Sequence, residues 1–422
     1  MQNRKRIVIL GAGFGGLKTA LDLEKYCSRH GACEITLIDR RAEHLYTPLL
    51  YEVATGFLSK PNQLCRGELR QGVCISYDAY MTILRAKLVK FKRGEVVGLD
   101  TEVQEVKLGG GEIVPYDVLL VALGSEVAYY DIPGLKEFSY PLKNLRDALN
   151  VRERIFQFLE RYQSGVEPFL SIVVGGGGAT GVEFAAEIAH HFRELERKKF
   201  LKKGSWSMTL VDVAPDVLMA FPKELRHCAQ ARLESLGIRV LLNTAVKEVT
   251  AGAVVVETDG KKTRLEADIT AWCGGVKPSS TLEQLGLPLG LKGHLIVDET
   301  FQVSGAKNIF AIGDNAQIKA REGFVPALAQ AAFKEAEHVA KNILLQMQGK
   351  ELRPWIPPMN WWSIVPLGGK YAAARIGPFK MMGGLAYVLR KLADLRYWLL
   401  ILPIPDAFRV WSTGASTYVK ND

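Results

Sequence analysis

Glycines and acids at two places in the chain have the spacing of a dinucleotide cradle. Gly11, Gly13 and Gly16 form G-x-G-x-x-G after the apolar run 7–10, and Gly176, Gly178 and Gly181 repeat it after 169–174. The strand that follows each cradle ends in an acid, Asp39 in the first case and Asp212 in the second. In such a unit the first glycine turns the chain tightly, the second lets a pyrophosphate reach the backbone, and the third lets helix and strand pack closely. The helix N-terminus then faces the phosphates, and the acid accepts hydrogen bonds from a ribose. An acid at 212 favours a free 2′-hydroxyl, hence NAD(H) over NADP(H). A motif repeated within one chain implies two dinucleotide sites.

Other residues suit the same chemistry. Gly124 and Gly275 close the apolar segments 116–125 and 268–275, where backbone can approach a cofactor. Asp314 ends the apolar segment 308–314, where a carboxylate needs solvent or a ligand hydroxyl. Residues 47–56 (Thr-Pro-Leu-Leu-Tyr-Glu-Val-Ala-Thr-Gly) read as a turn into a short helix beside a flat ligand. A helix is predicted over 326–347, with Pro326 in its first turn. Ala327, Ala329, Ala331 and Ala332 leave room there for something flat, and the helix dipole would favour negative charge on a reduced ring.

The elements that must position these residues alternate between strand and helix. Helices are predicted over 17–26, 144–162 and 182–191, a β-meander over 83–115, and a change of domain at Pro133-Gly134. Residues 193–203 read as a basic, solvated extension of their helix. The fold class is therefore α/β with two Rossmann-like dinucleotide-binding domains. A length of 422 residues, 48% hydrophobic and 23% charged, suits two or three globular domains. A net charge of +9 suits anionic cofactors or an anionic membrane surface, and no nucleic-acid motif accompanies it. None of the six cysteines forms C-x-x-C or joins histidines at zinc spacing, and no secretory signal precedes the first strand. They read as reduced, mostly buried thiols of a cytoplasm-facing protein without a metal site, and His190-His191 as helix surface. No uncharged segment is long and apolar enough to span a bilayer.

Near the C-terminus, Leu385, Val388, Leu389, Leu392, Leu395, Leu399 and Leu402 recur at helical spacing. Arg390, Lys391 and Asp394 gather on the opposite side, and Tyr397 and Trp398 suit an interface. Eight cations between 369 and 420 face only Asp394 and Asp406. A basic amphipathic helix over 384–402 lies in a membrane surface without crossing it. The other reading packs it on the protein's own core or on a dimer partner.

Both glycine motifs, the 47–56 segment, Thr180-Gly-Val-Glu183, Gly274-Gly275, Ile312-Gly-Asp314 and Ala329-Gln330 give the chain a family resemblance. It resembles the two-dinucleotide-domain flavoproteins, and within them the type II NADH dehydrogenases (NADH:quinone oxidoreductases), from residue 6 to about 411. The resemblance implies a glutathione-reductase-like arrangement. Residues 1–140 and 276–350 would bind FAD, the inserted 141–275 would bind NADH, and 351–422 would associate with the membrane. It places Gly11, Gly13, Gly16 and Asp39 at the ADP half of FAD and Asp314 at the ribityl chain. Thr47, Pro48 and Ala329-Gln330 would flank the isoalloxazine. Gly176, Gly178, Gly181 and Asp212 match the NADH-binding positions, and Glu183 the acid near the nicotinamide.

Gln330 matches the first glutamine of the family's A-Q-x-A-x-Q beside the quinone pocket, and Lys334 stands where the second would be. A cation there would stabilise a quinone oxygen as it gains charge. Trp361-Trp362 would line the quinone route or pack in the core. The implied activity is transfer of a hydride from NADH to FAD and of two electrons to a membrane quinone, without proton pumping. The implied setting is peripheral, on the cytoplasmic face of the membrane, and a homodimer is expected. Disulfide-using relatives need a redox cysteine pair beside the flavin, and sulfide:quinone reductases use flavin-adjacent cysteines and usually carry a degraded second glycine unit. Two alternatives stay open: a reductase with a soluble acceptor, and a non-catalytic NAD(H)-sensing flavoprotein.

Overall fold

Along β1 (Lys5–Leu10) the chain passes from exposed to buried, and after Gly11 it enters α1 (Phe14–His30). There follow β2 (Cys33–Asp39), the short α2 (Leu50–Thr55), β3 (Val89–Arg93) and β4 (Val118–Val121). Next come β5 (Tyr140–Pro141), α3 (Leu145–Gln163), β6 (Leu170–Gly175) and α4 (Ala179–Arg197). After them lie β7 (Trp206–Val211), β8 (Ile238–Leu241) and β9 (Ile269–Trp272). The chain then forms β10 (Gln302–Val303), β11 (Ala306–Ala311), α5 (Ala329–Met347), α6 (Gly384–Ile401) and α7 (Ile404–Tyr418). This computed structural model describes residues 4–30, 33–56, 66–84, 86–166 and 168–418.

Two sheets organise these elements. The first has the order β10-β11-β4-β1-β2-β3, parallel except for the β10–β11 pair, and the second β5-β9-β6-β7-β8, parallel throughout. Strands covered on both faces read as unbroken apolar runs, and β4 and β9 are buried along their whole length. In the first sheet β1 lies between β2 and β4, and in the second β6 lies between β7 and β9. Ligands of doubly wound sheets bind at such points, beyond the carboxyl ends of the strands. The link into the second sheet ends in a capping box. Asn144 accepts the Asp147 N–H at 3.0 Å, and the Asp147 carboxylate accepts the Asn144 N–H at 3.1 Å.

Several expectations need correction. The meander is shorter than 83–115: a helix (Tyr77–Leu84) precedes it, and β3 pairs in parallel with β2. Only Val96–Asp100, Glu105–Leu108 and Ile113–Pro115 form the antiparallel meander. Pro326 stands outside α5, which begins at Ala329 after extended Leu328. Cys27 and Cys33 are not reduced thiols. They form a disulfide linking the end of α1 to the start of β2, where both side chains are fully buried with Cα atoms 5.9 Å apart. Cys74, Cys228 and Cys273 are free, and Cys65 lies outside the described residues. His191 is buried rather than on a helix surface. In the 193–203 extension, Arg193 lies over the Trp206 ring and donates to the Leu236 carbonyl, so this stretch is only partly solvated.

The largest correction concerns α6. Arg390, Asp394, Tyr397 and Trp398 are buried, whereas Leu385, Val388, Leu392 and Leu399 are exposed. The helix packs its charged and aromatic face on the protein and presents its leucines outward. Partners on the chain make this possible, because Lys391 pairs with Glu52 of α2 at 2.8 Å and Arg390 donates to the Pro48 carbonyl at 3.0 Å. No helix of the described residues is long and apolar enough to cross a membrane.

Candidate active site

A cleft of about 550 Å³ runs past the carboxyl ends of β1, β4 and β11 towards the start of α4 and the end of β9. Sterics at the glycines explain its shape. A Cβ on Gly16 would lie 1.9 Å from the Gly11 carbonyl oxygen, and one on Gly181 would lie 1.9 Å from that of Gly176. Each helix therefore packs directly on its turn, and Gly16, Gly176 and Gly181 do not line the cleft. A Cβ on Gly13 or Gly178 would meet nothing within 4 Å, and both residues face the opening. Those two cradles leave room at a helix N-terminus for a pyrophosphate.

The terminal acids hold the loops. The Asp39 carboxylate accepts the Ala12 and Arg41 N–H groups, each at 2.8 Å, and lines the cleft. Asp212 accepts the Gly177 N–H and, at 2.6 Å, the Ala214 N–H. It lies beneath its loop and does not line the cleft. A carboxylate has about four acceptor positions, so each keeps capacity for ribose hydroxyls.

On the far wall Asp314 accepts the Ser125 hydroxyl at 2.5 Å, and Lys143 donates to that hydroxyl oxygen at 2.8 Å. Burial holds the Lys143 ammonium below its ordinary pKa. The Asn315 carboxamide accepts the Gly124 N–H at 2.9 Å, tying the ends of β4 and β11 together. Thr47, Pro48, Gly275 and Ala329 also line this cleft, with Ala327 and Ala332.

Glu183, in the first two turns of α4, faces the same space. Burial raises its carboxyl to about 8, with Asp394 and Glu52 acting the same way and Arg390 opposing them. The acid is therefore neutral at pH 7 and can donate a hydrogen bond or a proton.

Gln330 and Lys334 are placed differently. Neither lines the cleft; the Gln330 amide donates to the Trp362 carbonyl, and Lys334 is exposed. Trp362 itself is exposed. The structure thus brings Thr47, Pro48, Glu183, Asp314 and Ala329 together and leaves Gln330 and Lys334 on another face of α5.

Sequence reasoning missed the layer between this cleft and α6. Tyr46 donates to Asp394 at 2.7 Å, and Asp394 also accepts from Arg390. His44 bonds Tyr397 and approaches the Ala12 carbonyl at 3.2 Å, and Tyr77 donates to the same carbonyl at 2.6 Å. Burial lowers His44 to about 4, so it is neutral. The Tyr46 and Tyr397 rings stack at 4.4 Å. The available signal was an i, i+4 Arg–Asp pair opposite an unbroken leucine stripe, which needs a buried partner only if the charged face turns inward.

Comparison with known proteins agrees with this geometry. Residues 5–336 match the pyridine nucleotide-disulphide oxidoreductase family. The chain is 30% identical over 413 residues to a type II NADH:quinone oxidoreductase of Staphylococcus aureus (strain MSSA476), covering 97% of this chain and 98% of that one. Its fold is similar to that of NDH2 from Plasmodium falciparum in complex with NADH, with a TM-score of 0.81, 20% identity and 98% of each chain covered. It is also similar in fold to the sulfide:quinone oxidoreductase of Aquifex aeolicus, with a TM-score of 0.76, 20% identity, and 98% and 92% of the two chains covered. With two intact cradles on one cleft and this match along nearly its whole length, the chain belongs to the pyridine nucleotide-disulphide oxidoreductases and, among them, to the type II NADH:quinone oxidoreductase family.

Proposed function

We propose that the protein is an FAD-dependent NADH:quinone oxidoreductase. The observation that carries this reading is that Gly13 and Gly178, one from each cradle, open onto one cleft with the neutral acid Glu183 beside it. The residues fit the cofactor: the first cradle leaves space for a pyrophosphate, and Asp39 and Asp314 offer acceptors for its hydroxyls. When bound, FAD supplies an acceptor that takes two electrons from NADH and returns them to a quinone. The balance is NADH + H⁺ + quinone → NAD⁺ + quinol, so each turnover takes one proton from solution.

The chain's own residues position and neutralise. Gly11, Gly13 and Gly16 with Asp39 would hold the ADP half of FAD, and Asp314 the ribityl chain. Gly176, Gly178, Gly181 and Asp212 would hold NADH, and Glu183 would orient the nicotinamide and pass the proton. All strands of the second sheet come from residues 140–272, which supports 141–275 as an NADH-binding domain inserted between 1–140 and 276–350. Gln330, fixed on the Trp362 carbonyl, and Lys334 would meet the quinone head outside the cleft wall. Purified protein should show a flavin spectrum that NADH bleaches and a short-chain quinone restores. Colourless protein that FAD cannot reconstitute would defeat the reading. Electrons accepted by oxygen or a small protein but by no quinone would favour a soluble acceptor, and slow turnover with every quinone and a long-lived reduced complex would favour a sensor.

The outward leucines of α6, continued by Ile404 and Phe408 of α7, would rest on an anionic membrane surface. Deleting residues 384–422 cannot test this cleanly, because Arg390, Asp394, Tyr397 and Trp398 are built into the core. Leu392→Glu with Leu399→Glu alters only exposed positions. The pair should abolish co-sedimentation with anionic vesicles and leave NADH oxidation by a soluble quinone within about twofold. Undiminished vesicle binding would remove α6 as the docking face.

A further inference from the structure

Behind the turn that presents Asp314 lies a chamber of about 80 Å³, walled by His294, Gly313, Asp314, Ala331 and Glu335 among others. Glu335, from α5, is 1% exposed, and its Oε2 accepts the Gly313 N–H at 2.7 Å. Its bond therefore fixes the residue before Asp314. Two carboxyls thus share one turn, Asp314 towards the cleft and Glu335 behind it.

Little positive charge offsets the inner carboxyl. No ion pair involves Glu335 among the described residues. Lys18 of α1 is taken up by Asp22 and Glu337, Lys334 is exposed, and Lys143 reaches Asp314 through Ser125 on the cleft side. His294 carries its own burial penalty, and Lys292 further disfavours its charge.

We propose that Glu335 is a positioning residue for the flavin nucleotide, whose carboxyl takes up a proton as the cofactor's phosphates enter the cleft. This rests on the FAD reading above. Burial raises the Glu335 carboxyl to about 7, the Gly313 hydrogen bond opposing and Asp314 adding. Phosphate charge arriving in the adjoining cleft disfavours a second carboxylate behind Asp314, so bound cofactor and neutral Glu335 stabilise each other. The neutral acid still accepts the Gly313 N–H through its carbonyl oxygen, and the turn is kept. The sign follows from linkage: binding raises the pKa, so binding takes up a proton, and affinity falls as pH rises above about 7.

The test is titration of apoprotein with FAD, followed by flavin fluorescence from pH 6 to 9, on wild type, Glu335→Gln and Glu335→Ala. The wild-type Kd should rise by up to about tenfold per pH unit above pH 7, the limit for one linked proton. Glu335→Gln should keep the acid-side affinity and lose the slope. Glu335→Ala should bind weakly throughout, since the Gly313 N–H loses its acceptor. In a Glu183→Gln background, which removes the other cleft carboxyl that titrates in this range, calorimetry at pH 7.5 in buffers of different ionisation enthalpy should find proton uptake with Glu335 in place and none in Glu335→Gln. His294, whose charged form is disfavoured by burial, is untouched by these variants. A slope retained by Glu335→Gln in the Glu183→Gln background, or a flat wild-type profile, would overturn the proposal while leaving FAD binding intact. Failure of the wild type to bind FAD even at pH 6 would overturn the flavoprotein reading and this proposal together.

Discussion

Asp394→Ala is expected to destabilise the protein by about 3–5 kcal/mol, the usual consequence of removing one partner of a buried ion pair. Arg390 and Asp394 are both nearly inaccessible, at 6% and 3%. Without the carboxylate, the guanidinium keeps the Pro48 carbonyl but loses its counter-charge, and the Tyr46 hydroxyl loses its acceptor. The loss should appear as a lower denaturant midpoint at unchanged slope. Arg390→Met with Asp394→Leu removes both charges and should recover most of the stability, since an apolar pair carries no desolvation penalty. A double variant as unstable as the single would show that the charges themselves are needed, and the unpaired-guanidinium account would fall. Because Arg390 holds Pro48 on the cleft wall, the double variant, which loses that hydrogen bond, should bind flavin more weakly.

What was readable in the sequence follows the range of the forces involved. The cradles were legible because their requirements are local: a tight turn, a helix packed on that turn and an acid a strand later are all set within about thirty residues. The orientation of α6 was not. Periodicity shows that a helix has two faces but not which one is buried, and Tyr46, Pro48 and Glu52, which receive its charges, lie more than 330 residues earlier. Gln330 and Lys334 illustrate a related limit. They follow cleft-lining alanines closely in sequence, yet Ala329 and Ala332 face the cleft while positions 330 and 334, four apart, share another side of the helix. The Cys27–Cys33 bridge carries no C-x-x-C signature because its cysteines stand six residues apart, at the end of one element and the start of the next.

Glu183→Gln should separate the two half-reactions. The native acid, raised to about 8 by burial, is mostly protonated at pH 7, and glutamine reproduces its size and neutrality without a transferable proton. NADH binding and single-turnover bleaching should therefore stay near wild type, while steady-state turnover with quinone should fall by about 10²–10⁴, the range for a lost general acid. The wild-type rate should decline as pH rises through about 8, where the proton is lost, and the variant should show no such limb. Stability supplies an independent readout. Because folding raises this carboxyl from an ordinary 4.5, its contribution is fully present below about 4.5 and lost as pH rises through 8. Denaturant midpoints at pH 5 and pH 9 should consequently differ less in Glu183→Gln than in the wild type. Wild-type turnover and an unchanged pH profile in the variant would remove Glu183 from the proton path, and the uptake required by each quinol formed would have to enter through another group.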